Sequence, residues 1–194
     1  IRQGYLITAL GWFLCGIFGT LPFLLEAENI DFHDALFEVF SGISGTGATI
    51  IEDIETMPRA ILLWRSMLNA LGGIGIVIFA VALLPFLGIG GMQIFQRENS
   101  DFDNKFMPKF SYIAKRIILV FAFLTCGCCL ALKLGGMSWF DAINHAFTSV
   151  ATGGFSTKNA SIAAFNSAKI EMILSLFMVF RSFISVSLIF TLLI

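Results

Sequence analysis

Apolar residues run along this chain in stretches longer than the core of a soluble domain needs, and most charged residues fall between those stretches. Between Arg2 and Glu26 no residue is charged. At a rise of about 1.5 Å per residue, a helix over that run crosses the roughly 30 Å hydrocarbon core of a bilayer. A second uncharged run follows Arg65 and continues to Gln96. It is too long for one straight span, and Pro85 with the cluster Gly88, Gly90 and Gly91 marks where the helix is expected to end. The third run lies between Arg116 and Lys133, slightly short, but both flanking cations have stems that reach the interface. The fourth starts near Ile170 and continues to the end of the chain, interrupted by Arg181. The pattern therefore predicts spans over residues 4–26, 60–84, 112–134 and 168–194.

Two further apolar segments, residues 32–43 and 139–150, are about three turns long. That is too short to cross, so in a membrane protein they read as re-entrant half-helices, whose ends survive at membrane depth only where they line water or are buried in protein. Their sequences repeat. Phe32-His33-Asp34-Ala35-Leu36-Phe37-Glu38-Val39-Phe40-Ser41 aligns without a gap, at an offset of 107, with Trp139-Phe140-Asp141-Ala142-Ile143-Asn144-His145-Ala146-Phe147-Thr148. The same register sets Thr46-Gly47-Ala48-Thr49 opposite Gly153-Gly154-Phe155-Ser156. The chain thus divides into a first pore unit over 1–96, with a loop at 44–49, a linker over 97–111, and a second unit over 112–194, with a loop at 151–156. Each unit crosses twice, so the copies are parallel, which fits a ring about an axis better than the inverted repeats of many secondary transporters.

Composition narrows the class further. The chain is 57% hydrophobic and 13% charged, about half the charged share of an ordinary soluble domain. No basic stretch is dense enough for a nucleic-acid partner, and the partner implied is the lipid bilayer. Cys15, Cys126, Cys128 and Cys129 all lie inside apolar runs, which favours packing over disulfides or a zinc site. Lys and Arg place the connection bearing Arg97, Lys105, Lys109, Lys115 and Arg116 in the cytoplasm. The stretch from Glu26 to Arg59 is acidic and faces outward. Glu52, Asp53 and Glu55 there are candidates for an outer acidic vestibule that concentrates cations, or else are solvated loop charges. His33 and His145 lack metal-ligand spacing and read as polar interfacial residues; Trp12, Trp64 and Trp139 suit interfacial anchoring. There is no nucleophile with a base, no paired carboxylate and no phosphate-cradling loop, so no enzyme and no cofactor is expected. The chain starts at Ile1 without Met and ends in an apolar run, and is expected to be part of a longer protein.

The chemistry is expected in the two loops. Rings of backbone carbonyls can replace the hydration shell of a potassium ion without a fixed charge that would bind it too tightly. Gly permits the backbone angles that aim successive carbonyls at one axis. The negative end of each half-helix dipole points the same way. Candidate filter residues are Thr46, Gly47 and Ala48 in the first loop and Thr152, Gly153, Gly154 and Phe155 in the second. Potassium would be held by carbonyls of Thr46, Gly47, Gly153 and Gly154.

The strings Ser41-Gly42-Ile43-Ser44-Gly45-Thr46-Gly47-Ala48-Thr49, Leu71-Gly72-Gly73-Ile74-Gly75-Ile76 with Ala80-Val81-Ala82-Leu83-Leu84-Pro85, and Ala151-Thr152-Gly153-Gly154-Phe155-Ser156-Thr157 resemble the Trk/Ktr potassium transporter family over nearly the whole chain. The resemblance implies an all-α integral membrane fold of helix, pore half-helix, filter loop and helix units. It implies potassium uptake across the bacterial inner membrane through four such units, of which two are here. It also implies a homodimer with a cytoplasmic nucleotide-binding regulatory subunit of the TrkA type. One filter Gly is expected per unit, Gly47 and Gly154 by the ungapped register, with Gly153 the competitor after a one-residue shift. The alternatives are an ion-coupled symporter or a non-conducting scaffold. Two departures stand out: Gly45 where many members carry Thr, and Phe180-Arg181-Ser182-Phe183 where a Gly pair is expected. Arg181 near mid-membrane costs at least about 2.5 kcal/mol unless it snorkels, faces water or finds a partner.

Overall fold

A computed structural model describes residues 2–27, 30–83 and 102–193. Among these the chain is helical and contains no strand. Helices α1 (Arg2–Gly19) and α2 (Leu21–Glu26) share the first apolar run. The break falls at Thr20 because Pro22 lacks an N–H and its ring clashes with the carbonyl four residues back. Trp64, expected as an interfacial anchor, donates its ring N–H to the Gly19 carbonyl at the end of α1, at 3.0 Å.

The half-helix α3 spans Phe32–Ser44 and ends at Gly45, whose φ of +72° is left-handed and suits a residue without Cβ. After a short 3-10 turn, Ile54–Thr56, comes α4 (Arg59–Leu83). The expected helix end at Pro85 and the glycines after it lies outside the described residues, as do Glu28 and Arg97. Helix α5 runs Phe102–Leu134 and takes in residues 102–111 of the linker expected over 97–111.

The second half-helix, α6, spans Trp139–Val150. Ser138 caps it by accepting from the Asp141 N–H at 3.1 Å while its hydroxyl donates to the Asp141 carboxylate at 2.6 Å. The last helix, α7, spans Ala168–Leu193. Three segments among the described residues are long and apolar enough to cross a membrane: Ala9–Glu26, Arg59–Ile78 and Ala114–Leu134.

Helix α4 lies between the two half-helices and touches both. Its glycines explain how closely. A Cβ at Gly72 would strike the Ile43 carbonyl at the end of α3, and one at Gly73 would come within 3.0 Å of Ala151 at the end of α6. Gly75 meets the Trp12 ring at 3.4 Å. Gly72, Gly73 and Gly75 thus form a small face that serves three neighbours, Ile43, Ala151 and Trp12. Two apolar cores result. Phe23, Val39, Ile61 and Leu68 fill the first, between α2, α3 and α4. Cys128, Leu132, Ala146, Val150 and Leu174 fill the second, between α5, α6 and α7, with Ala70 reaching in from α4. Of the four cysteines expected to pack, all are free; Cys128 is buried and Cys129 partly buried, while Cys15 and Cys126 are exposed.

Candidate functional site

Both half-helices end in loops of the same backbone form. The Thr46 N–H donates to the Ser41 carbonyl at 3.0 Å, and the Gly153 N–H to the Thr148 carbonyl at 2.8 Å. The Gly45 N–H donates to Gly42 and the Thr152 N–H to Ser149, at 3.1 and 3.0 Å. Each pair is related by the offset of 107 found in the sequence. Left-handed φ values occur at Gly45 and Gly47 (+72° and +70°) and at Thr152 and Gly154 (+59° and +86°), with neither Thr46 nor Gly153 left-handed between them. A strand points successive carbonyls to alternate sides and a helix points them along its own axis, whereas alternation of handedness can bring successive carbonyls of a short loop toward one side. The departure at Gly45 thus acquires a reason: the position is left-handed, where Thr152 in the second loop bears a Cβ at a cost of roughly 1–2 kcal/mol.

The two loops also meet. A Cβ added at Gly47 would run into the Gly153 carbonyl, so this glycine is required for space as well as for φ. Gly153 is buried, and a Cβ there would run into the Asn69 side chain. Gly154 is exposed and its Cβ would meet nothing within 4 Å. Thr46, Ala48 and Thr152 are exposed, whereas Phe155 is buried and its ring lies 4.2 Å beneath the Arg65 guanidinium. The Phe155 side chain therefore supports the loop from behind.

Behind the loops lies an ion pair that the hydropathy pattern does not reveal. Glu38 on α3 and Arg65 on α4 are 0% and 1% exposed and pair at 2.9 Å. The other carboxylate oxygen of Glu38 accepts from the Thr49 hydroxyl at 2.5 Å and the Ile50 N–H at 2.9 Å, which ties down the chain leaving the first loop. Arg65 reaches the Ser156 carbonyl at 3.5 Å in the second. The register places His145 opposite Glu38 and Ser156 opposite Thr49. His145 is 2% exposed rather than interfacial, with Nδ1 2.8 Å from the Asp141 carbonyl and Nε2 3.1 Å from the Ser156 hydroxyl. Each unit thus holds the exit of its loop from the same position of its half-helix, by a carboxylate in one copy and an imidazole in the other.

The segments that follow the two loops are clasped together. The Asn159 side chain accepts from the Ile54 N–H at 2.7 Å and donates to Asp53 at 2.8 Å, and Lys158 pairs with Glu55 at 3.1 Å. Two of the three vestibule candidates are therefore engaged across the units, and Glu52 stands exposed. Asp141 sits at the mouth of α6. Burial works to raise its carboxyl pKa, but hydrogen bonds from Ser138 and Thr157, with His145 and Lys158 nearby, outweigh it and hold the group below its ordinary value. Arg181 lies deeper, 3.4 Å from the Gly73 carbonyl and 6.0 Å from the Phe121 ring centre, so it bridges α7 to α4 and α5. No cluster of His, Cys, Asp and Glu suited to a metal occurs among the described residues.

Long apolar helices with two half-helices that each end in a glycine loop define a membrane protein built from a repeated pore-like unit. The sequence signature of TrkH, described as a cation transport protein, matches residues 1–194, and the chain belongs to that family. It is 48% identical to the Trk system potassium uptake protein TrkH of Halomonas elongata over 94% of its length, and 46% identical to that of Escherichia coli K12 over 91%. The crystal structure of the potassium transporter TrkH from Vibrio parahaemolyticus superposes with a TM-score of 0.78 at 42% identity, covering 91% of this chain and 35% of that one. The chain spans 38% and 37% of the length of the two curated relatives. Family membership makes it a multi-pass membrane protein of a transport family rather than an enzyme.

Proposed function

We propose that the chain supplies two of four units around a pore that carries potassium into a bacterial cell across its inner membrane. Residues 44–49 and 151–156 act as filter loops, and Gly47 and Gly154 are the equivalent filter glycines. The observation that carries this reading is the repeated backbone: the same hydrogen bonds and the same alternation of handedness at an offset of 107, in two loops that touch. Ions would be held by the carbonyls of Thr46, Gly47, Gly153 and Gly154, at the negative ends of α3 and α6. The remaining two units, a homodimeric assembly and a nucleotide-binding regulatory subunit of the TrkA type belong to the same proposal. So do a cytoplasmic linker, an outward-facing mouth and a role for Glu52, Asp53 and Glu55 in drawing cations to it.

The test is Gly47→Ser and Gly154→Ser in the full-length protein, read by rubidium uptake competed with sodium and potassium, alongside the amount in the membrane. Both should weaken discrimination, and Gly47→Ser should harm more because its Cβ meets backbone while that of Gly154 meets open space. Gly72→Ser is a poor control, since it presses on the end of α3. Gly127→Ser is a better one, as its Cβ meets only the Phe177 ring at an ordinary 3.5 Å. Native discrimination in both filter variants at native amounts would overturn the assignment.

A further inference from the structure

Helix α4 presents a line of residues one turn apart, Arg65, Asn69 and Gly73, toward the second loop. Arg65 lies over Phe155, Asn69 against Gly153 and Gly73 against Ala151. The middle position is unusual. Asn69 is 0% exposed, and among the described residues neither its Nδ2 nor its Oδ1 has a hydrogen-bond partner. An amide left in that state costs free energy that an apolar residue would not.

Its orientation offers a reason. The carbon, nitrogen and oxygen of the side-chain amide lie at nearly equal distances from the point a Gly153 Cβ would occupy. The plane of the amide therefore faces the Gly153 Cα. A flat group fits against a residue without a side chain, where a branched apolar group such as Leu would not lie flush. The Gly153 carbonyl in turn lies where a Cβ of Gly47 would fall. Asn69, Gly153 and Gly47 are thus stacked in contact, from the span of the first unit through the second loop to the first.

We infer that Asn69 is a positioning residue for ion discrimination: its amide plane backs Gly153 and sets how closely the second loop approaches the first. The inference rests on the reading of these loops as filters. It adds that the second filter is held in place by a helix of the neighbouring unit. Loosening that backing lets the loop withdraw, and the oxygens then no longer distinguish ions by size.

The experiment uses the full-length protein in cells lacking other potassium uptake, with rubidium uptake competed by sodium and membrane amounts measured in parallel. Asn69→Ala should lower discrimination about tenfold, the equivalent of about 1.4 kcal/mol. Gly153→Ala should lower it as well, because the new methyl group strikes the amide. The double replacement, which puts the methyl group where the amide was removed, should recover most of the discrimination lost by either single change.

A merely structural Asn69 would change the amount of protein and leave discrimination alone. Native discrimination in Asn69→Ala, or a double variant no better than the worse single one, overturns the inference. Should Asn69→Ala fail to reach the membrane, Asn69→Ser carries the same expectation and the same refutation. Should Gly47→Ser and Gly154→Ser also leave discrimination intact, the filter reading falls. If they weaken it while the Asn69 variants do not, only the role of Asn69 falls.

Discussion

Replacing Glu38 with Gln keeps the shape of the side chain and removes its charge, which isolates the buried ion pair behind the loops. The Gln carbonyl can still accept from the Thr49 hydroxyl and the Ile50 N–H, so the anchor of the first loop survives. What is lost is the counter-charge of Arg65, which is 1% exposed. Removing one partner of a buried pair costs about 3–5 kcal/mol, because the remaining charge stays out of water. The Phe155 ring 4.2 Å from the guanidinium attracts it by about 2 kcal/mol. That contact exists in the native protein too, so it offsets none of the change. The Ser156 carbonyl at 3.5 Å is at the limit of a hydrogen bond. Glu38→Gln should therefore destabilise by about 3 kcal/mol or more, while Glu38→Gln combined with Arg65→Met, which removes the stranded charge, should be milder. The assay is thermal loss of the monodisperse peak of detergent-solubilised full-length protein. A Glu38→Gln variant that melts with the native protein, or a double variant that melts below it, would refute the reasoning.

Four further outcomes are expected. Asn159→Ala should open the clasp between the outer loops and lower thermal stability by about 1 kcal/mol, the scale of ordinary hydrogen bonds, whereas Glu52→Gln should leave stability unchanged and raise the apparent KM for potassium at low ionic strength; an unchanged KM returns Glu52 to a solvated charge. The Asp141 carboxyl is held below its ordinary value, so the stability it confers is present above about pH 4 and is lost as pH falls through the depressed value; melting measured across that window should decline less steeply for Asp141→Asn, and equal slopes would remove Asp141 from the account. A single Cys at Asn104 in an otherwise Cys-free protein should label from the cytoplasmic side of the membrane, and labelling from outside would reverse the orientation.

Which segments become helices, and which two stop short of crossing, was legible in the sequence because hydrophobic run length and proline or glycine punctuation act locally. α6 begins and ends at the expected residues, and α3 extends one residue beyond the expectation. The register of 107 was also legible, since a repeated unit repeats its side chains, and two backbone hydrogen bonds at each half-helix end follow it. The same register already set His145 opposite Glu38 and Ser156 opposite Thr49. Read for function, it would have marked those residues as struts rather than interfacial or loop charges. Other features were out of reach. The pairing of Glu38 with Arg65, the clasp of Asn159 on Asp53, and the seat of Asn69 on Gly153 join residues 27 to 106 positions apart. Hydropathy treats Arg65 as the flank of a span and Asn69 as a polar interruption, because periodicity records how a residue faces its own helix and not which neighbour it meets. The packing of α4 between two half-helices decides that. Close approach through Gly72 and Gly73 brings the helix of one unit against both loops, and only then does the buried Arg65 meet Glu38 and Phe155 and the Asn69 amide meet Gly153.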